Sequence, residues 1–433
     1  MSDFAVTGLL IASLFLILGS GVWIGLTLSG VAWIGMELFS SRPAGDAMAV
    51  TIWGSASSWT LTALPLFVWM GEILFRTRMS SDMFRGLAPW MQALPGRLLH
   101  TNVVGCTIFA AVSGSSAATV ATIGKMSLPE LQRRGYPDRI VIGSLAGAGT
   151  LGLLIPPSII MIVYGVSAEV SIAQLFIAGV LPGLLLGALF SGYLAAWSLL
   201  HPGRIPPADA GMTLAHKLRE SRNLIPVMLL IAAVLGSIYG GIATATEAAA
   251  LGVVGALLIS AIQGSLTWVT FRESLFGGVR LYCMIALILA GAAFLTLAMG
   301  YIGLPRHLAE WIGGLGLASW QLLLALMAFY ILLGCFLDGI SMVVLTMGVV
   351  LPTVQAAGID LIWFGVFVVI VVEMAQITPP VGFNLFVLQG MTGRDIAWIA
   401  GVTFPFFVLM LAACALVYLV PEIVTWLPAQ MRH

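Results

Sequence analysis

The stretch from Ser113 to Pro157 occurs twice in this chain, the second time 223 residues later. The residues that match at this single offset are Pro129 with Pro352, Gln132 with Gln355, Gly135 with Gly358, and Pro156-Pro157 with Pro379-Pro380. The motif SGSSAAT at the start of the first copy returns as LDGISM, although matching Gly114 to Gly339 requires a two-residue slip. The chain must therefore fold into two related units that arose by duplication.

Composition places these units in a lipid bilayer. Hydrophobic residues make up 60% of the 433 residues and charged residues only 8%, which is too little polar surface for a soluble globule. Apolar stretches long enough for spanning helices, roughly 20 residues each, recur from Gly8 to Val420. Because backbone groups in lipid must be paired internally, the sequence predicts an all-α polytopic membrane protein. Because the net charge is zero, the chain has no excess of positive charge to attract nucleic acid, and we expect no nucleic-acid partner.

Each copy is predicted to contain a re-entrant helical hairpin, at 98–124 and 321–351, followed by a helix broken at its Pro pair, at 140–164 and 363–388. The polar turn after the first hairpin carries four basic residues, and the turn at 352–360 carries none. By the positive-inside rule the hairpins then enter from opposite sides, so the repeats are predicted to be inverted, as in many secondary transporters. We count ten crossings besides the hairpins, with both termini outside.

These features divide the chain into five predicted segments. They are N-terminal scaffold helices at 1–49, the first repeat at 50–200, scaffold and connecting helices at 201–280, the second repeat at 281–420, and a C-terminal tail at 421–433.

The repeated stretch also supplies oxygen ligands. Broken helices free backbone carbonyls and expose helix ends, which can hold ions at membrane depth. The candidate ligands are the hydroxyls of Ser113, Ser115, Ser116 and Thr119 with the carbonyls before Pro156, and in the second copy Asp338, Ser341, Thr378 and Asn384. Oxygen ligands without converging His or Cys suit an alkali cation such as sodium. Asp338 is predicted to be functional, since an ionisable group deep in lipid costs several kcal/mol unless it is paired or hydrated.

Three further carboxylates have more than one interpretation. Glu72 lies near a helix end and is either structural or interfacial. Glu247, in ATATEAAA, is either functional or a helix-start carboxylate with Thr246 close by. Glu373 precedes the second Pro pair and is a ligand, a proton carrier or a partner for a buried donor.

Five motifs, spaced in order along nearly the whole chain, carry a family resemblance. They are SGSSAATVATIGKMSLPELQRRGYP, GTLGLLIPPSIIMIVYG, ATATEAAALG, LDGISMVVLT and QITPPVGFNLFVLQG. Together they resemble the large membrane subunit of the tripartite ATP-independent periplasmic (TRAP) transporters. The resemblance implies an elevator-type, sodium-coupled importer of an organic acid in the bacterial inner membrane. It also implies two partners, a small four-helix membrane subunit and a periplasmic substrate-binding protein.

The resemblance also implies which residues bind the ions and the substrate. The first sodium site would use Ser113, Ser115 and Ser116 with the backbone from Gly152 to Pro156. The second would use Asp338, Gly339 and Ser341 with Gln376, Thr378 and Pro379. The substrate would lie between the hairpin tips, against Ser116, Thr119, Pro157, Ser341, Pro380 and Asn384.

Three alternatives stay open at this point. One is a sodium/carboxylate symporter of the same superfamily that works without a binding protein. Another is an intramembrane hydrolase using Ser115 or Ser116, but the sequence places no His or Lys in a central segment to act as the base. The last is a passive channel, which two inverted hairpins with broken helices suit less well than alternating access. We therefore expect a transporter and no enzymatic activity; the sequence does not distinguish among organic acids.

Overall fold

The computed structural model describes residues 3–207, 213–314, 317–380 and 382–431, and every regular element in this part of the chain is a helix. The α-helices are α1 (Asp3–Gly19), α2 (Ile24–Phe39), α3 (Ala44–Ala56), α4 (Ala63–Arg76), α5 (Met79–Met91), α6 (His100–Ser113), α7 (Ser116–Arg133), α8 (Asp138–Gly149), α9 (Leu151–Leu154), α10 (Ile159–Ser167), α11 (Ile172–Leu200), α12 (Leu214–Ser221), α13 (Ile225–Tyr239), α14 (Ala245–Ile262), α15 (Trp268–Ile302), α16 (Leu304–Gly314), α17 (Ser319–Leu333), α18 (Gly339–Ala356), α19 (Leu361–Gln376), α20 (Phe383–Thr392), α21 (Ile396–Leu419) and α22 (Glu422–Ala429).

The predicted all-α membrane architecture is confirmed, with hairpins and broken helices where the sequence indicates them. Helices α6 and α7 form the first hairpin, and α17 and α18 form the second. The first broken helix runs through α8, α9 and α10, and the second through α19 and α20. The peptide bonds Pro156-Pro157 and Pro379-Pro380, which lie at the two breaks, are both cis.

Length and hydropathy identify six helical stretches of the described residues that can cross a membrane, or eight if two bent pairs each count as one. The bent pairs are 44–56 with 59–76, bent by 54°, and 138–154 with 159–167, bent by 41°. Four more apolar helices, among them α2 and α19, are shorter than 18 residues. The ten predicted crossings therefore stay a prediction that depends on these short helices.

The structure corrects the register of the repeat. Helices α7 and α18 each have 18 residues, and their N-cap residues, Ser115 and Asp338, are separated by the same 223 positions as the two Pro pairs. Gly135 and Gly358, again at this offset, both have positive φ, +81° and +69°. The two-residue slip that comes from matching Gly114 to Gly339 is therefore wrong, because α7 and α18 align at the offset of 223 residues.

The two repeats interlock rather than lie side by side. Helix α7 of the first hairpin packs against α20, and α18 of the second hairpin packs against α10. Two further contacts join the repeats. The Tyr164 hydroxyl on α10 donates to the Leu361 carbonyl at the start of α19 at 2.7 Å, and Arg394, which follows α20, pairs with Asp138 at the start of α8 at 2.7 Å. Each hairpin thus rests on the helix that follows the break in the other repeat.

A second group of helices surrounds the 35-residue α15, which packs against α2, α3 and α4, while α14 packs against α4 and α13. Because α15 begins at Trp268, the predicted boundary at residue 280 falls inside a helix. Arg272 and Arg280 both belong to that helix.

Two other predicted segments differ from the structure. The predicted boundary between residues 49 and 50 falls inside α3, and the chain bends between α3 and α4. The predicted C-terminal tail contains α22, which packs against α11 and buries Val424 completely. Residues 1–2 of the N-terminal segment, 208–212 of the connecting segment and 432–433 of the tail lie outside the described residues.

Candidate functional site

The tip of the first hairpin is held by its own hydroxyl groups. Gly114, between α6 and α7, has φ +60° and turns the chain. The Ser115 hydroxyl caps α7 by accepting from the Ala118 N–H at 3.4 Å. The Thr119 hydroxyl donates to the Ser115 carbonyl at 2.8 Å and lies 2.8 Å from the Ser113 hydroxyl. These bonds order a buried cluster of oxygen atoms at the tip.

The first break lies directly against this tip. A Cβ atom added to Gly152 would lie 2.7 Å from the Ser115 carbonyl oxygen and from the Ser116 Cα, so only glycine allows this approach. On the other side of the break, the Ile159 N–H donates to the Gly114 carbonyl at 3.4 Å. The structure therefore brings Ser115 and Ser116 of the predicted first ion site against Gly152 at the first break.

The tip of the second hairpin is built around Asp338. This half-buried carboxylate caps α18 by accepting from the N–H groups of Ile340 and Ser341 at 3.1 and 3.3 Å. It also accepts a short hydrogen bond from the Ser341 hydroxyl. A carboxylate at a helix N-terminus is stabilised by the orphan N–H groups and by the helix dipole.

Helix α19 touches both hairpin tips within one turn. Glu373 accepts a short hydrogen bond from the Ser116 hydroxyl of the first tip and a 3.1 Å bond from the Leu153 N–H at the first break. On the second tip, a Cβ added to Gly339 would meet the Val372 side chain at 2.7 Å and the Gln376 amide at 2.8 Å. The two candidate ion sites are therefore neighbours along this helix.

The remaining predicted residues lie at the second break or close to it. The Thr378 hydroxyl donates its proton to the Met374 carbonyl, four residues earlier in the chain, at 2.7 Å. Pro379 and Pro380 are exposed, whereas Pro156 and Pro157 are buried. Asn384 is 0% exposed, and neither its oxygen nor its nitrogen has a hydrogen-bond partner among the described residues.

The structure also shows what the three open carboxylates contact. Glu72 pairs with Arg76 at 3.0 Å, and Arg76 joins it to Glu273 on α15, which is a structural link. Glu247 forms a capping box at the start of α14, but with Thr244, not the Thr246 suggested by the sequence.

Glu373 is the third of these carboxylates and a partner of buried donors. Among the described residues it is the only Asp, Glu, Lys or Arg that is buried, with 1% exposure. Sequence reasoning placed Asp338 deep in lipid, whereas it is half-buried; for Glu373 it left open a ligand, a proton carrier or a partner for a buried donor. The backbone that it named from Gly152 to Pro156 includes the Leu153 N–H, but it did not name Val372, which looks like an ordinary apolar residue. The one available signal was the position of Glu373 within an otherwise apolar helix.

The polar turn that follows the first hairpin differs from the hairpin tip in its charge. Arg134 and Arg133 donate to Glu130 at 2.5 and 2.8 Å. The hydrogen bond from Arg134, followed by the charges of both arginines, holds the pKa of Glu130 below its ordinary value. The end of α7 is therefore a charged, partly solvated surface, in contrast to the buried tip.

Chemically, the site offers hydroxyl, carbonyl and carboxylate oxygens that converge from separate segments. Two of its buried groups, the Glu373 Oε2 atom and the Asn384 amide, have no hydrogen-bond partner among the described residues. An unpaired buried polar group is costly, so each of these atoms retains the capacity to contact a bound ion or molecule.

Comparison with known proteins identifies the family. Residues 9–423 match the family described as the tripartite ATP-independent periplasmic transporter, DctM component. The chain is 31% identical over 445 residues to the C4-dicarboxylate TRAP transporter large permease protein DctM of Rhodobacter capsulatus, covering 99% of each chain. It is 32% identical over 413 residues to the isethionate TRAP transporter permease protein DctMQ of Oleidesulfovibrio alaskensis, covering 95% of this chain and 64% of that one.

The fold also resembles that of a solved transporter. The crystal structure of the YdaH transporter of Alcanivorax borkumensis, described as having an unusual topology, superposes with a TM-score of 0.65 over 88% of both chains, at 14% identity. At this identity the likeness concerns the fold alone. The relatives are named as transporter permeases, not as enzymes, which removes the hydrolase alternative. With the family match over almost its whole length, this chain belongs to the DctM-component family, the large permease proteins of TRAP transporters.

Proposed function

We propose that this chain imports an organic acid across the bacterial inner membrane, driven by sodium, as the larger membrane part of a three-component system. A periplasmic binding protein captures the substrate, and a small four-helix membrane subunit completes the membrane assembly. The substrate binds between the hairpin tips, and the two repeats move together against the remaining helices in an elevator-type motion.

The observation that carries this proposal is the meeting of both hairpin tips on one turn of α19. Two buried or half-buried carboxylates, Glu373 and Asp338, lie there with converging hydroxyls and no paired Lys or Arg among the described residues. Negative charge in a membrane interior requires a counter-ion. Sodium suits these oxygen ligands, and its inward gradient would supply the driving force for uptake.

An organic acid fits both the site and the relatives. The R. capsulatus and O. alaskensis proteins are named for C4-dicarboxylate and isethionate, which are both organic anions. Sodium ions bound at the two tips would offset the charge of such an anion. The unpartnered amide of Asn384, buried beside α8, offers both a donor and an acceptor for a polar substrate group.

The test is uptake of labelled organic acids into liposomes that contain this chain and its small membrane subunit. We expect accumulation only with an inward sodium gradient and the cognate binding protein, because each supplies a different part of the mechanism. A potassium gradient of equal size and a binding protein from an unrelated system serve as controls.

The other outcomes separate the alternatives. Sodium-driven uptake without the binding protein would support the stand-alone symporter. Uptake that follows the substrate gradient alone, with no response to sodium, would contradict coupling and favour a passive pathway.

A further inference from the structure

We propose that Glu373 supplies to the first hairpin tip the carboxylate that Asp338 supplies to the second, and that its free oxygen, Oε2, is a direct ligand of the ion bound there. This inference rests on the proposed sodium coupling and adds a ligand from the opposite repeat. Nothing in the motifs of the first repeat assigns a charged ligand to its site.

The two repeats differ in charge at equivalent positions. At the offset of 223 residues, Asp338 corresponds to Ser115 and Glu373 corresponds to Thr150. The first repeat therefore carries hydroxyl groups at both positions where the second repeat carries carboxylates. Considered by itself, the first repeat contains no anionic group at its hairpin tip or its break.

The contact between the two repeats supplies the carboxylate that the first repeat lacks. From α19 in the second repeat, Glu373 reaches the first hairpin tip, where its Oε1 atom accepts from the Ser116 hydroxyl and the Leu153 N–H. Thr150 makes no matching link, since its hydroxyl donates to the Gly147 carbonyl at 2.6 Å on its own helix. As a result, each hairpin tip has one carboxylate, provided by its own chain segment at the second tip and by the other repeat at the first.

The geometry of Glu373 points to a side chain that binds an ion as well as holding the hairpin tip in place. Both donors bind the same oxygen, Oε1, which fixes the orientation of the carboxylate. The other oxygen, Oε2, is buried and has no hydrogen-bond partner among the described residues. The Ser113 hydroxyl and the Ser115 carbonyl belong to the same hairpin tip, and both are hard oxygen ligands of the kind that an alkali cation takes. An ionised carboxylate with one unsatisfied oxygen is costly in a protein interior, and a cation at Oε2 would remove that cost.

The test exploits the fixed orientation of this side chain. In Glu373→Gln, the amide oxygen keeps both donors, Ser116 and Leu153, so the NH2 group must occupy the Oε2 position. If Glu373 only held the hairpin tip in place, Gln would do so equally well. If Oε2 binds a cation, that cation would meet N–H groups in the Gln variant in place of a negatively charged oxygen. The readout is the melting temperature of the full-length purified chain as sodium replaces potassium at constant ionic strength, since a bound ion stabilises the folded state.

For the unmodified chain we expect sodium, but not potassium, to raise the melting temperature. Glu373→Gln should raise the sodium concentration of the half-maximal effect at least about tenfold, as expected for loss of a charged ligand. The matched control is Glu247→Gln, since Glu247 is a capping carboxylate on α14, away from both tips; it should keep the original sodium midpoint. An unchanged midpoint in Glu373→Gln would overturn the inference.

The two proposals fail in distinguishable ways. No sodium response in the unmodified chain would contradict sodium coupling itself, whereas a normal response in both chains would remove only Glu373 from the site. Should Glu373→Gln not fold, Glu373→Asp replaces it, because a carboxylate shorter by one methylene keeps the charge but withdraws Oε2. We expect a several-fold weaker sodium response, and a midpoint equal to that of the unmodified chain would overturn the inference.

Discussion

Asp338 performs two tasks that a single substitution can separate. Its carboxylate caps α18 through the Ile340 and Ser341 N–H groups, and it brings a negative charge to the second hairpin tip. Asn is as good an N-cap residue as Asp, so it preserves the helix start while removing the charge. The Ser341 hydroxyl, which now donates to Asp338, can rotate to accept from the new amide.

Asp338→Asn is therefore expected to impair sodium-driven uptake while leaving the protein folded. The sodium concentration for half-maximal uptake should rise about tenfold or more, because an interaction with a charged group contributes about 1.5–3 kcal/mol. The matched control is Asp360→Asn, which alters the N-cap of α19, where Asp360 accepts from the Trp363 N–H at 2.8 Å. Equal sodium dependence in the two variants would remove Asp338 from the coupling site.

At the scale of helices, the decisive contact is between the first hairpin and the first break. Gly152 in α9 has no space for a side chain, because the Ser115 and Ser116 backbone lies where its Cβ would stand. The neighbouring atoms are backbone, which cannot rotate away as a side chain can. The position of the tip, and with it the Glu373 contact, depends on this close approach.

Gly152→Ala is expected to displace the first tip and to destabilise the protein by about 1–3 kcal/mol, the usual cost of overpacking. The measurements are the melting temperature in detergent and the initial rate of sodium-driven uptake, both of which should fall. Gly192→Ala provides the control, since Gly192 lies in α11 with open space around it and Ala favours a helix. If Gly152→Ala behaved like Gly192→Ala, the tip would not depend on this contact.

At the scale of the whole molecule, the two repeats form one interlocked body. Each hairpin packs against the helix that follows the break in the other repeat, and the contacts of Tyr164 with Leu361 and of Arg394 with Asp138 also join the two repeats. Neither hairpin can move far without carrying the other repeat with it. This arrangement supports the proposed motion of both repeats as a unit.

The inverted orientation of the repeats predicts opposite exposure of equivalent positions. Arg133 and Ala356, which are separated by 223 residues, are the last residues of α7 and α18, and both are exposed. In a background without the four native cysteines, Arg133→Cys and Ala356→Cys should react with a membrane-impermeant maleimide from opposite faces. Labelling is compared in right-side-out and inverted vesicles; reaction of both residues from the same face would refute the inversion.

Much of this architecture is readable in the sequence because it depends on local chemistry. The Pro pairs, the apolar runs and the N-cap residues act within a few positions of themselves, so they indicate both breaks and both hairpins correctly. The slip between the two motifs was inferred because two glycines, Gly114 and Gly339, were matched by identity. In the structure their positions differ, since Gly114 turns the chain and Gly339 begins α18.

By itself, the sequence determined that this chain is helical, lies in a membrane, and contains a duplicated unit with a hairpin and a broken helix. These properties follow from hydrophobicity and backbone pairing, which act on each segment separately. Only the tertiary structure decided that Glu373 contacts the first hairpin tip and that each hairpin packs against a helix of the other repeat. The physical reason is that Ser116 and Glu373 lie 257 positions apart, and contacts over such a distance depend on how packed helices cross, which no local pattern encodes.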